Sequence, residues 1–288
     1  MNRSKFLLKY SISAHIPFFN NIDTLEKVIN CISSQGIKFS DINIYDDGSQ
    51  TDPSSICNST STKLHQFKKN KGRGFIRNKA ACDAQSDLIL FCDATNILAE
   101  HFIEDALHHF DQNHVAAVSG KISNHPNLCN FSSTWRGRHL FKESFEYGSI
   151  AQEASSLTTY GTILRRSAVL DVGNFNSELV HSEDRELGNR LLKAGYKIIG
   201  DPNLTVYSIK KDTTLSVLER YWRWYGGADE KFTLRDYWHA IKASFRPMMQ
   251  EDMRENDWKS AFISFLCPHY GFYRYLYRRF FGKIQKLS

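Results

Sequence analysis

The chain has 288 residues, 41% hydrophobic and 24% charged, with 37 Lys and Arg against 31 Asp and Glu. That composition excludes a disordered chain, and the length suits one large domain or a domain with an appendage. The surplus of +6 is confined to one end. Trp258 to Ser288 holds six basic residues and no acidic one, so the first 257 residues balance, and the same stretch carries ten of the 38 aromatics.

No apolar run approaches the ~18–20 residues of a membrane span. Phe6-Leu7-Leu8 is cut off by Lys9, too short for a signal-peptide core. The six cysteines show neither a CxxC pair nor a metal-ligand spacing and read as reduced thiols of a cytoplasmic protein. An integral membrane protein, a secreted disulfide scaffold and a zinc finger are not expected.

In chain order, Ser11 to Ile16 alternates toward Pro17 and predicts a strand. Apolar residues at 22, 25, 28, 29 and 32 predict a helix. Ile42 to Tyr45 is a short strand running into the turn residues Asp46-Asp47-Gly48-Ser49. Arg73 to Ala84 reads as a helix after a glycine-bearing loop, and Asp87 to Cys92 as a strand buried on both faces. Phe102 to Phe110 is helical and Val115 to Ser119 is a further strand; residues 122–158 form a polar excursion with a helix around Trp135–Phe145. This alternation predicts a mainly parallel α/β sheet covered by helices. Ligands of such sheets sit beyond the carboxyl ends of the strands, where Asp46, Asp47 and Asp93 fall.

Alone, Asp-Asp-Gly-Ser is a common turn, and Glu183-Asp184 is a solvated pair at a helix start, favoured by the helix dipole. The ordered set says more. Ile16-Pro17-Phe18-Phe19-Asn20 is followed by Asp46-Asp47-Gly48-Ser49, Asn70-x-Gly-Arg-Gly with Arg77, and Asp93-Ala94-Thr95. Then come Gly173-Asn174-Phe175, Glu183-Asp184 and Arg190-Leu191-x-x-Ala194-Gly195-Tyr196. Over roughly residues 10–210 this order resembles the family 2 nucleotide-sugar glycosyltransferases of the GT-A (Rossmann-like) fold.

The resemblance implies a catalytic domain over 1–215 and a helical, aromatic and basic extension over 216–288. It implies that Asp46 and Asp47 hold the uridine of a donor, with Pro17 starting the neighbouring loop and Arg77 near the nucleobase. Asp93 matches the first aspartate of the Asp-x-Asp motif, a contact to ribose or metal, and Thr95 stands with it among the donor-binding residues. Asp184 matches the general base, with Glu183 beside it. The chain departs from the pattern at Thr95, where the second aspartate is missing, and at Ser208, where a late histidine is expected. A divalent cation, manganese or magnesium, is therefore in doubt, with Asp93 its remaining ligand. Lys210 and Lys211 either take over part of its charge on the diphosphate or are solvated loop residues.

Arg220-Tyr221-Trp222-Arg223-Trp224 looks like the Gln/Arg-x-x-Arg-Trp motif of processive synthases in this family. It makes Arg220, Arg223 and Trp224 acceptor contacts, or else marks a helix whose aromatics pack inward. After Pro268, a helical wheel gathers Tyr273, Leu276, Tyr277, Phe280, Ile284 and Leu287 on one face, with Arg274, Arg278, Arg279, Lys283 and Lys286 around the rest. That face could meet an anionic membrane or dock on the body; nucleic acid fits least, for want of a recognisable module.

The expectation is an inverting transferase moving a hexosyl or N-acetylhexosaminyl group from a nucleotide donor, a UDP-sugar, to a glycan or lipid-linked acceptor in surface polysaccharide synthesis. It would be cytoplasmic or peripheral on the inner membrane face. The competing class is a non-catalytic nucleotide-sugar-binding or scaffolding protein of the same fold.

Overall fold

The computed structural model describes residues 9–128, 130–143, 150–225 and 233–281. The chain divides into two compact units, Met1–Ser123 with Tyr147–Lys210, and Asn124–Glu146 with Lys211–Ser288.

Among the described residues the first unit carries nine strands: β1 (Ile12–Phe18), β2 (Ile42–Asp46), β3 (Lys63–Gln66), β4 (Leu88–Cys92), β5 (Asn96–Leu98), β6 (Val115–Asn124), β7 (Gln152–Glu153), β8 (Gly161–Arg165) and β9 (Lys197–Ser208). They form one sheet in the order β3-β2-β1-β4-β8-β6-β9-β5, with β7 pairing β9. β1 is parallel to β2 and β4, and β2 to β3. β8 lies antiparallel between β4 and β6, so β6 points the same way as β4. The strands that alternate with helices early in the chain thus make the parallel part, and later segments add the antiparallel one. The chain steps outward from β1 to β3 and then returns to the other side of β1 with β4. The crevice at such a reversal is where sheets of this kind hold ligands.

The elements follow from their residues. Leu25, Val28, Ile29 and Ile32 recur at helical spacing in Ile22–Ser33 and are fully buried. Each contributes about 1.5–3 kcal/mol by leaving water. β4 is buried at every position, as a strand covered on both faces must be. The helix Arg73–Asp83 joins Ile76, Ala80 and Ala81 to a core with Tyr45, Phe91, Phe175 and Leu187. β1 runs two residues further than its sequence suggests, through Pro17 to Phe18. Phe18 faces β2, accepting from the Asp47 N–H at 2.9 Å. Pro17 therefore faces the β4 side, where pairing has already ended at His15 and Phe91. A missing N–H breaks no ladder bond there. Inside the sheet, His15 Nε2 lies 2.8 Å from Ser13 Oγ, which lies 2.6 Å from Ser86 Oγ. Burial first, and then the charge of His65, lower the His15 pKa to about 4.

In the second unit the helix Phe131–Arg136 continues as a π-helical turn over Gly137–Phe141. Trp135 is wholly buried, its Nε1–H donating to Ser264 Oγ at 2.8 Å. Buried Arg136 pairs with Asp212 and donates to Asn124. These bonds place 124–146 with the C-terminal helices, and the chain crosses between units at 210 and 211. A cut at residue 215 does not describe this interleaving. The helices Thr214–Tyr225, Leu234–Ala243, Gln250–Arg254 and Trp258–Phe281 complete the unit. The wheel of the tail needs correction. Arg274, assigned to the polar face, is 6% exposed, with Nη1 3.2 Å from Glu219 and its guanidinium over Trp222. Tyr273 and Phe280, assigned to a common apolar face, do share one, and it is exposed, at 55% and 72%. The reason is that the helix begins at Trp258 and turns Ala261, Ile263, Ser264 and Cys267 inward, which carries Arg274 in with them. Ile284, Leu287, Lys283 and Lys286 lie outside the described residues. Among the described residues no helix is long and apolar enough to cross a membrane.

Candidate active site

Three loops meet beyond the carboxyl ends of β1, β2 and β4. Asp46 ends β2 and accepts the Ser49 N–H at 2.9 Å, folding Asp46–Ser49 into a turn. Ser49 Oγ accepts the Asn20 N–H at 3.0 Å, and Asn20 Oδ1 accepts the Gln50 N–H at 2.8 Å. The loop after Pro17 is thereby sewn to the loop after Asp46. Asp47, 6% exposed, accepts the N–H groups of Lys71 at 2.6 Å and Gly72 at 3.0 Å. Gly72 has φ +94°, a backbone that disfavours any side chain. Two residues on, a Cβ on Gly74 would meet the Asn176 carbonyl at 2.2 Å. The glycines of the Asn70–Gly74 motif thus let this loop close on Asp47 and on the 176–179 backbone.

Arg77 is the centre of the site. It is 1% exposed, projects from the helix Arg73–Asp83, and pairs with Glu183 through Nη1 and with Asp93 through Nη2, the latter at 3.1 Å. Burial pushes its pKa down and the Asp93 carboxylate pushes back. Glu183 is equally buried, whereas the Asp93 side chain keeps 28% of its surface. Among the described residues, one Glu183 oxygen, Oε2, and the Arg77 Nε–H have no partner. Arg77 sits between two acids rather than open to a base, a post that its sequence position does not suggest.

Ser182, in the left-handed region at φ +63°, opens the helix Glu183–Lys193 and turns Glu183 inward. Asp184 is half-buried. Its Oδ1 accepts the Arg185 N–H at 2.8 Å and its Oδ2 accepts Thr159 Oγ1–H at 3.4 Å. Thr159 is a contact that the motifs do not signal. Of the two acids, Asp184 is the one that solvent and a ligand can reach.

Asp93 to Asn96 form a turn closed by Asn96 N–H to the Asp93 carbonyl at 3.0 Å. Thr24 Oγ1 donates to the Ala94 carbonyl at 2.6 Å and anchors that turn to the first helix. Thr95 accepts the Ile209 N–H at 2.9 Å, and Asn96 pairs with Ser208 across β5 and β9. The two positions where a metal ligand is missing, Thr95 and Ser208, are therefore adjacent in space. Asp93 is the carboxylate left there, and one of its oxygens already carries Arg77. Among the described residues no three His, Cys, Asp or Glu converge on a metal position. The donor set does not fit a protein-built cage for a divalent cation. Lys210 follows Ser208 by two residues. In the second unit, Arg220 lies 3.6 Å from buried Asp212, Trp222 is buried, and Arg223 and Trp224 are exposed. Trp222 thus packs inward, Arg220 stands beside Asp212, and Arg223 and Trp224 face outward.

Residues 13–173 match the model of Glycosyl transferase family 2. The chain belongs to that family. Glu183 and Asp184 lie beyond the matched span, and the Arg77–Glu183 pair is what joins them to it. Poly-beta-1,6-N-acetyl-D-glucosamine synthase of Staphylococcus aureus is 23% identical over 80% of this chain. The chain spans 57% of the length of that curated relative. A mannosyltransferase from Pyrobaculum calidifontis, solved with GDP-Man and Mn2+, superposes with a TM-score of 0.64 at 13% identity, covering 98% of this chain and 93% of that one. TarS of S. aureus, solved with UDP-GlcNAc, gives 0.56 at 17% identity over 95% and 76%. The fold of this family member is GT-A, with C-terminal helices.

Proposed function

We propose that the chain is an inverting glycosyltransferase that moves an N-acetylhexosaminyl group from a UDP-sugar to a glycan or lipid-linked acceptor in surface polysaccharide synthesis. The observation that carries this reading is the pairing of one buried and one reachable acid at Glu183-Asp184, tied through Arg77 to Asp93. The donor reading is supported by the likeness to a poly-N-acetylglucosamine synthase and to a protein solved with UDP-GlcNAc.

In this reading the loops at Pro17, Asp46 and Asp47 receive the uridine and Asp93 the ribose. Asp184 takes the proton of the acceptor hydroxyl as its oxygen attacks the anomeric carbon. The bond from that carbon to the diphosphate breaks, and the nucleoside diphosphate leaves with the electron pair. Attack opposite the leaving group inverts the anomeric centre. Glu183 is a positioning residue, held to Arg77 so that Asp184 points outward. Lys210 or Lys211 supplies positive charge to the departing diphosphate, the need that a cation meets elsewhere. Arg223 and Trp224 offer an exposed guanidinium and an indole face, groups suited to sugar hydroxyls and rings.

Asp184→Asn tests the central claim. With UDP-N-acetylglucosamine as probe, turnover should fall about 10²–10⁴-fold while the thermal shift produced by the donor persists. Unchanged turnover would remove Asp184 from the mechanism, and donor binding without turnover in the natural chain would leave a binding protein. Repeating the assay in chelator separates the two sources of charge. Full activity supports the lysines, and strict dependence on manganese or magnesium sinks that assignment.

A further inference from the structure

The helix Trp258–Phe281 buries Ser260, Ser264 and Arg274, at 0%, 0% and 6% exposure, together with Ala261, Ile263 and Cys267. Its solvent side carries Trp258, Phe262, Phe265, Tyr273 and Phe280. At ~100° per residue these five fall within about 80° of one another, along an axis of about 33 Å. A helix whose contacts ended with its own unit would place the aromatics in and the serines out. The helix Leu234–Ala243 repeats the pattern. None of its residues is buried, and Leu234 and Trp238, one turn apart, are 72% and 62% exposed.

The two helices that carry these stripes are in contact. The helices are joined by the Tyr237 hydroxyl to His269 Nδ1 at 2.7 Å. Beyond Ala243 the ring of Phe245 lies 6.4 Å from that of Phe265, which is 6.4 Å from that of Phe262. All ten aromatic side chains among the exposed large hydrophobics of the described residues belong to this unit, and none to the first. Exposed aromatic side chains gathered in one unit mark a docking site.

Its chemistry selects the partner. From Trp258 to Phe281 there is no acidic residue, while the exposed residues Lys259, Arg278 and Arg279 are basic and Arg274 is spent on buried pairing with Glu219. Arg235, Lys242 and Arg246 flank the second stripe. The acid in that helix, Asp236, is committed to the capping box with Thr233. Amphipathic helices with Trp, Tyr and Phe on one face and cations around them lie in the headgroup boundary of anionic membranes. We propose that the face made by Leu234–Ala243, Phe245 and Trp258–Phe281 docks on an anionic lipid bilayer, lying in its surface. The assignment is independent of the transfer chemistry and fails or stands apart from it.

The experiment is co-sedimentation of the full chain with vesicles of phosphatidylcholine alone and of phosphatidylcholine with phosphatidylglycerol. Binding is expected to the anionic vesicles, with a blue shift of tryptophan emission. The variant Trp238→Gln/Phe262→Gln, with its thermal midpoint checked, should lose binding about tenfold or more, since each ring withdraws from apolar surroundings. No binding, equal binding to uncharged vesicles, or binding that the double variant retains would overturn the proposal. So would a dimer in solution that the same substitutions dissolve, because it would assign the face to a second copy.

Discussion

The two units distribute aromatic and charged groups in opposite ways. In the first, Tyr45, Phe91 and Phe175 are inside, and Arg77 is held inside between Glu183 and Asp93. In the second, Arg136 and Arg138 are held inside on Asp212 and Asp252, while aromatic rings face outward from two helices. The buried pair in the first unit adjoins a reachable carboxylate, Asp184. In the second, buried charge pairs serve packing, and the apolar surface left outside is available to a partner. The lesson is that burial of charge marks a reactive site only where an exposed group of matching chemistry stands beside it.

Arg77→Met is the strongest way to break that comparison. It strands Glu183, with one oxygen already unpartnered, in an apolar surrounding. Removing one partner of a buried pair costs about 3–5 kcal/mol, a thermal midpoint lower by roughly 10 °C for a chain of this size. Adding Glu183→Gln should recover part of the midpoint by removing the stranded charge. Turnover should stay low, because Asp93 and the turn before Asp184 lose their common anchor. Calorimetry and the donor assay on both variants check this; a midpoint unchanged in Arg77→Met would make the bridge incidental.

How much of this was legible in the sequence differs between the units for the same physical reason. The first unit is written in local patterns: Leu25 to Ile32 shows its helix, the apolar run of β4 its burial, and Asp46, Asp93 and Asp184 follow strand ends or open a helix. The Arg77–Glu183 pair spans 106 positions and leaves no periodic trace. Nor does Thr159 on Asp184, a single hydroxyl in an unpatterned stretch. In the second unit local pattern misleads. A wheel sorts residues by hydrophobicity and puts every cation on the polar side, so it leaves Arg274 outside where the structure buries it. The place of 124–146 depends on Trp135 reaching Ser264, again a contact across a long separation.

A smaller effect probes the polar chain inside the sheet of the first unit. His15 is buried between Tyr45 and Phe91, with its pKa lowered from 6.5 to about 4. The unfolded chain takes up a proton as pH falls through 6.5, and the folded chain refuses it until about 4. Stability is therefore fully present above 6.5 and is lost as pH falls toward 4, by about 3 kcal/mol. Replacing His15 by Gln removes this group's share of that slope. Denaturant unfolding at several pH values measures it. An equal slope in His15→Gln would place the acid sensitivity elsewhere.

The smallest effect is the one that separates the units most sharply. Trp238 and Phe262 would be core residues if aromatic rings played the same part in both units, and changing them to Gln would cost several kcal/mol. At 62% and 57% exposure they have little to lose on the native side. Each substitution should shift stability by no more than about 0.5 kcal/mol, whereas Trp135→Ala, in the same unit and wholly buried, should cost about 3–5 kcal/mol. Thermal unfolding of the three variants without lipid makes the measurement. A large loss for Trp238→Gln or Phe262→Gln would return those rings to the core of the second unit and dissolve the contrast. A neutral result leaves an aromatic surface that folding does not require.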